Sequence, residues 1–144
     1  KEHAEFMFQA PRAEAQDITG EDLSITAEGM GVSAGGLDQW APDDMQLLSG
    51  EPLRHLADLL NAVEELGRWP KQMTEARAAF LSKGEGKDLD PLGYRLLLML
   101  PAVYRLWAKT RLRHLHPWVD SWVHLEMYAG AEGREPRMQP TQRL

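Results

Sequence analysis

The groups in this chain whose types and spacing bear on chemistry are two adjacent carboxylates, a glycine-flanked lysine, several histidines and a line of cations. Asp43 and Asp44 follow Pro42. Paired acids can hold a divalent ion, yet behind a proline at a helix start they also complement the positive end of the helix dipole, and that plainer reading takes precedence. Gly84-Glu85-Gly86-Lys87 has the composition of a phosphate loop. A Walker motif, however, needs a glycine separated from its Gly-Lys pair by four residues and a Ser or Thr after it, where Leu81 and Asp88 stand. His114 and His116 are two apart, about 200° around a helix, so they do not share a metal easily. His124 and Glu126 would share a face of a strand, although a surface pair is the simpler reading. Arg105, Lys109 and Arg113 recur every four residues, either as a track for a phosphate backbone or as the wet face of an amphipathic helix. The five tryptophans, Trp40, Trp69, Trp107, Trp118 and Trp122, could stack bases, but four lie beside apolar helical or turn residues and read as core. With no cysteine, thiolate zinc sites, disulfides and cysteine nucleophiles are excluded.

The elements that must position these groups are unevenly legible. Residues 1–36 mix acids, small residues and glycines without a sustained apolar period and read as a loosely ordered arm. Within it Asp17 to Asp22 could start a helix turn, but Leu23 and Ile25 are few apolar residues to fix one. A short helix is expected over about 42–48, led by Pro42 and two acids. Ser49 then offers a cap for a second helix whose Leu53, Ala57, Leu60 and Val63 recur at helical spacing up to Gly67. Beyond the Trp69-Pro70 turn, residues 76–81 are strand-compatible, and a loop leads to a second extended segment running through Arg95. A last helix is expected over about 102–116, stopped by Pro117. The fold class is therefore α+β, mainly helical, with a short strand-loop-strand and flanking helices.

Length and charge bound the function. The 144 residues allow one modest domain. No apolar run approaches the roughly 20 residues of a membrane-spanning helix. A start at Lys1 without a signal-like segment reads as a processing boundary. The formal charge of −6 argues against generic nucleic-acid binding. It is split, however: residues 1–70 carry 4 basic and 14 acidic side chains (−10), residues 71–144 carry 12 and 8 (+4). Any RNA or DNA contact belongs to residues 71–144.

Several strings resemble reverse transcriptases of the non-LTR retrotransposon type. LPAVYRLWAKTRLRHLHPW (residues 100–118) is similar to the helix after the first fingers motifs, with its Tyr-Arg-Leu core and Arg-Leu pair. GGLDQWAPDDMQLL resembles the family's Gly-x-Asp-Gly-Trp opening and short helix, and LADLLNAVEELGRWP its next helix closing on Trp-Pro. AAFLSKGEG resembles the strand ending in a Pro-Lys-x-Gly loop, GYRLLLML the Phe/Tyr-Arg-Pro-Ile motif, and MYAGAEGR the Gly-x-x-x-Gly-Arg segment. The order is the family's, over about residues 35–134. Three positions depart from it: Ser82 and Leu96 replace prolines, and Gln39 replaces the glycine before Trp40.

The resemblance implies a fingers-like region over 37–134, between the arm and a polar tail at 135–144. It stops before the palm, whose three aspartates hold two metal ions for phosphoryl transfer. The parent family is an RNA-directed DNA polymerase using Mg²⁺. For this chain alone the resemblance implies no catalytic residue, no cofactor and no polymerase activity. It gives Lys83 and Arg95 the role of holding the triphosphate of an incoming nucleotide. Arg105, Lys109 and Arg113 are candidates for the nucleic-acid backbone. A fingers fragment without its palm should also leave apolar surface near Trp118, Trp122 and residues 96–100 for a protein partner to cover. The rival expectation is a domesticated structural or interaction subunit of a larger assembly.

Overall fold

The computed structural model describes residues 11–84 and 91–123. The chain is mixed α and β, mainly helical, and divides into two compact units, Gln16–Leu112 and a second formed by Lys1–Ala15 with Arg113–Leu144.

The larger unit is built on three helices. Helix α1 (Gly20–Glu28) lies where the sequence reads as an arm. Its start is a reciprocal cap: the Asp22 N–H donates to Thr19 Oγ1 at 3.1 Å, and the Thr19 N–H donates to Asp22 Oδ2 at 3.0 Å. Leu23, Thr26, Ala27 and Met30 are buried at i, i+3, i+4 and i+7. This is a full core stripe, obscured in the sequence because a threonine and an alanine occupy its middle. Burial of Thr26 is possible because its hydroxyl donates to Asp22 O at 2.7 Å and meets the buried Thr110 hydroxyl at 3.0 Å. The arm reading therefore fails for residues 18–30.

Helix α2 (Glu51–Leu66) follows a 3₁₀ turn (Pro42–Leu47) and buries Leu53, Ala57, Leu60 and Val63, as its period requires. Its first turn is preceded by Gly50 at φ +59°, and no side chain caps it, so Ser49 does not take the expected role. Gly67 closes the helix at φ +62°. Helices α1 and α2 cross at Gly20, where a Cβ would lie 3.0 Å from Arg54 N. Just before α1, the Asn61 side chain holds both backbone groups of Ile18, accepting from its N–H at 2.8 Å and donating to its carbonyl at 2.9 Å. That arrangement lets Ile18 enter the core with its peptide satisfied.

After one helical turn, α3 (Lys71–Thr74), strands β1 (Arg77–Ser82) and β2 (Tyr94–Met99) pair antiparallel, with Leu81 opposite Arg95 and Phe80 opposite Leu96. Helix α4 (Ala102–Trp122) supplies Ala102, Leu106 and Thr110 to the core of the larger unit. It does not stop at Pro117 as expected. Proline forfeits one intrahelical hydrogen bond, but within the smaller unit Trp118 and Trp122, one turn apart, pack edge-to-face at 5.2 Å, and Trp118 Nε1 donates to Pro11 O at 2.6 Å. These contacts offset the lost bond.

One residue carries avoidable strain. Gln39, at φ +61°, is the non-glycine described residue with a positive φ. Gln39→Gly should raise the unfolding free energy by about 0.5–1 kcal/mol, because the left-handed conformation costs a side chain more than glycine gains in chain entropy. Urea denaturation followed by circular dichroism measures it, and a destabilised variant would show that the Gln39 side chain makes compensating contacts.

Candidate functional site

Lys83 and Arg95 come together at the loop end of the β hairpin. Residues directly opposite in an antiparallel pair point to one face, as do residues two apart on a strand. Leu81 opposes Arg95, and the ladder extends one step further because the Lys83 N–H donates to Gly93 O at 2.7 Å. Lys83 and Arg95 are thus diagonal neighbours on one face, and both are exposed. Lys83 Nζ donates to Leu92 O at 2.7 Å, which ties the lysine to the returning end of the loop. The same face carries Arg77 and Leu97. The charge is positive, without an acidic side chain on either strand, an arrangement able to take an anion with distributed oxygens. The loop between the strands, residues 85–90, lies outside the described residues, and with it Lys87 and Asp88.

The stripe on α4 has internal partners. Arg105 donates to Ser33 Oγ at 3.0 Å and to Ala34 O at 2.9 Å, and Lys109 Nζ donates to Gly29 O at the end of α1. These cations fasten residues 29–34, which have no regular structure of their own, and a lysine beside the last carbonyls of a helix is well placed for the dipole. Arg113 belongs to the smaller unit.

A junction that the sequence did not disclose joins GGLDQW to the start of α4. Asp38 Oδ2 accepts from the Ala102 N–H at 3.1 Å, capping a helix 64 positions away. Gly36 permits the approach, since a Cβ there would sit 2.8 Å from Leu100 O and Pro101 N. The aspartate and glycine of the Gly-x-Asp string were legible as a motif, but not the helix they cap. A groove of about 290 Å³ opens beside this junction, lined mostly by apolar side chains, among them Trp40, Met45, Leu56, Met73 and Val103.

The remaining candidates separate. Asp44 Oδ2 accepts from the Ala41 N–H at 2.8 Å, so this acid caps the 3₁₀ turn. Among the described residues no group of three His, Asp or Glu is placed to hold a metal. His116 pairs with Asp120 at 3.3 Å. His124, Glu126 and the MYAGAEGR segment fall outside the described residues. Trp69, Tyr104 and Trp107 form one cluster with ring centroids 4.7–5.4 Å apart, packed on one another. No described helix is long and apolar enough to cross a membrane. On the hairpin, Phe80, Leu81, Leu96, Leu97 and Leu98 are all exposed.

No family model matches this chain, and no curated protein matches it.

Proposed function

We propose that this chain is a fingers-like region of an RNA-directed DNA polymerase of the non-LTR retrotransposon type, able to hold a nucleotide triphosphate but without catalysis of its own. The observation that carries the reading is the cross-strand pairing that sets Lys83 and Arg95 on one face of two strands that carry no acidic side chain. A triphosphate is a chain of oxygen acceptors, matched by a lysine point charge and an arginine fork on diagonal positions of one face. Two further observations support it. Gln39, at the position where the family pattern has glycine, adopts the left-handed conformation that favours glycine. Asp38, the aspartate of the same string, has a structural use as the cap of α4. Mg²⁺ would accompany the nucleotide, as the counter-ion of its phosphates.

Titration of the purified chain with a fluorescent nucleoside triphosphate and Mg²⁺ tests the site. Lys83→Ala and Arg95→Ala should each weaken binding about tenfold, since a hydrogen bond to a charged group contributes about 1.5–3 kcal/mol. The same preparation should extend no primer on an RNA template. Equal affinity in the double variant would remove the nucleotide site, and chelator-sensitive primer extension would remove the claim of inactivity.

A second reading, a structural or interaction subunit, is favoured by the exposed leucines of β2 and by the use of Arg105 and Lys109 as internal clasps. It is distinguished by triphosphate affinity that does not respond to Lys83 or Arg95.

A further inference from the structure

Strand β2 has the sequence of a central strand and the surroundings of an edge strand. Residues 96–100 are apolar without interruption, the pattern of strands covered on both faces, whereas a half-buried strand alternates. Yet among the described residues the sheet has two strands, and Leu96, Leu97 and Leu98 are 58%, 47% and 55% exposed. A two-stranded sheet is marginal in water, and an edge of this kind normally carries a charge, a proline or a bulge. Within residues 96–99 there is none.

The ladder fixes which backbone groups face outward. Lys83 donates to Gly93 across the strands, so Lys83 and Gly93 form a hydrogen-bonded pair. By alternation Leu81 with Arg95 and Ala79 with Leu97 also turn their peptides inward. Leu96 and Leu98 therefore direct their N–H and C=O groups to the open side of β2.

We infer that a second copy of this chain pairs antiparallel along this edge, on a two-fold axis through Leu97, giving a four-stranded sheet in the order β1-β2-β2-β1. Charge selects the register. With Leu97 opposite the partner's Leu97, Leu96 and the partner's Leu98 exchange hydrogen bonds, and so do Leu98 and the partner's Leu96. Arg95, the charged residue of β2, then lies opposite the partner's Met99. The two Arg95 side chains are four residues apart along the strands, about 14 Å, beyond the Debye length of about 10 Å at 0.1 M salt. An axis through Leu96 brings them within about 7 Å. One through Leu98 runs the pairing past Pro101 into α4. An isologous contact of this kind closes at two copies.

The absence of cysteine makes the test direct. In analytical ultracentrifugation at micromolar concentration the chain should sediment at twice its 16.3 kDa mass. Under mild oxidation Leu97→Cys should cross-link into a covalent dimer, because residues facing each other in a non-hydrogen-bonded pair have Cα atoms about 4.5 Å apart, within disulfide reach. Val32→Cys, on a highly exposed residue remote in sequence, is the control. Leu98→Pro removes the outward N–H and leaves the bonds to β1 in place, so it should yield a monomer with unchanged helical circular dichroism. Should that variant unfold, cross-linking decides. A monomeric wild type, a Leu97→Cys variant that links no faster than Val32→Cys, a folded Leu98→Pro dimer, or open-ended growth in mass would each overturn the inference.

Discussion

Trp107→Ala should lower the stability of the larger unit by about 3–5 kcal/mol, the cost of truncating a large aromatic that packs on a core. Trp107 lies against the buried cluster of Ile18, Leu23, Leu53, Leu60 and Leu106. It also meets Trp69 edge-on at 4.7 Å and Tyr104 at 5.4 Å, and its Nε1–H donates to Glu64 Oε1. The substitution removes ring contacts from two neighbours, opens a cavity between α2 and α4, and leaves a carboxylate oxygen short of a donor. A domain of this size is stable by about 5–15 kcal/mol, so the variant should be partly unfolded at 37 °C. Thermal denaturation followed by far-UV circular dichroism would show it. A shift below about 1 kcal/mol would mean that Trp107 is peripheral.

Glu64→Ala should cost about 2–4 kcal/mol, the second largest single effect. Glu64 on α2 accepts from Arg111 Nε at 2.6 Å and from Arg111 Nη2 through its other oxygen, a two-pronged ion pair, while Trp107 adds a third donor. The guanidinium also donates to Gln16 O, which draws the start of the larger unit onto α4. The Arg111 side chain is 11% exposed, so removing its carboxylate leaves a cation largely out of water. Glu64 is itself 27% exposed, which places the cost below that of a fully buried pair. A Glu64→Met/Arg111→Met double variant should recover part of the loss, since replacing both partners removes the unpaired charge. Equal losses in the single and double variants would show that packing rather than charge holds this contact.

Elements whose apolar residues are large and regularly spaced were legible from the sequence. Leu53, Ala57, Leu60 and Val63 marked α2 and its buried face, Gly67 marked its end, and Pro42 with two acids marked the 3₁₀ turn. The strand-loop-strand was legible for the same reason, since residues 76–81 and the run at 94–100 are bounded by turn-forming residues. Helix α1 was not, because its core stripe uses Thr26 and Ala27, whose burial depends on a hydroxyl partner on α4, 84 positions away. Nor was the passage of α4 through Pro117, since the contacts that offset the missing N–H come from Pro11 and from the Trp118–Trp122 pair.

For the candidate site the division is similar. Lys83 and Arg95 were named from the sequence by a family likeness, and strand register alone sets them on one face. By itself the sequence determined the charge split, the absence of thiols, the period of α2 and the uninterrupted apolar strand, because these follow from residue type and local spacing; the buried face of α4, Ala102, Leu106 and Thr110, was not legible. Only the tertiary structure decided that Arg105 and Lys109 clasp backbone carbonyls, that Asp38 caps α4 and that β2 keeps an open edge among the described residues. Each depends on which polar or apolar group, distant in the chain, arrives within a few ångströms, and no local pattern specifies that.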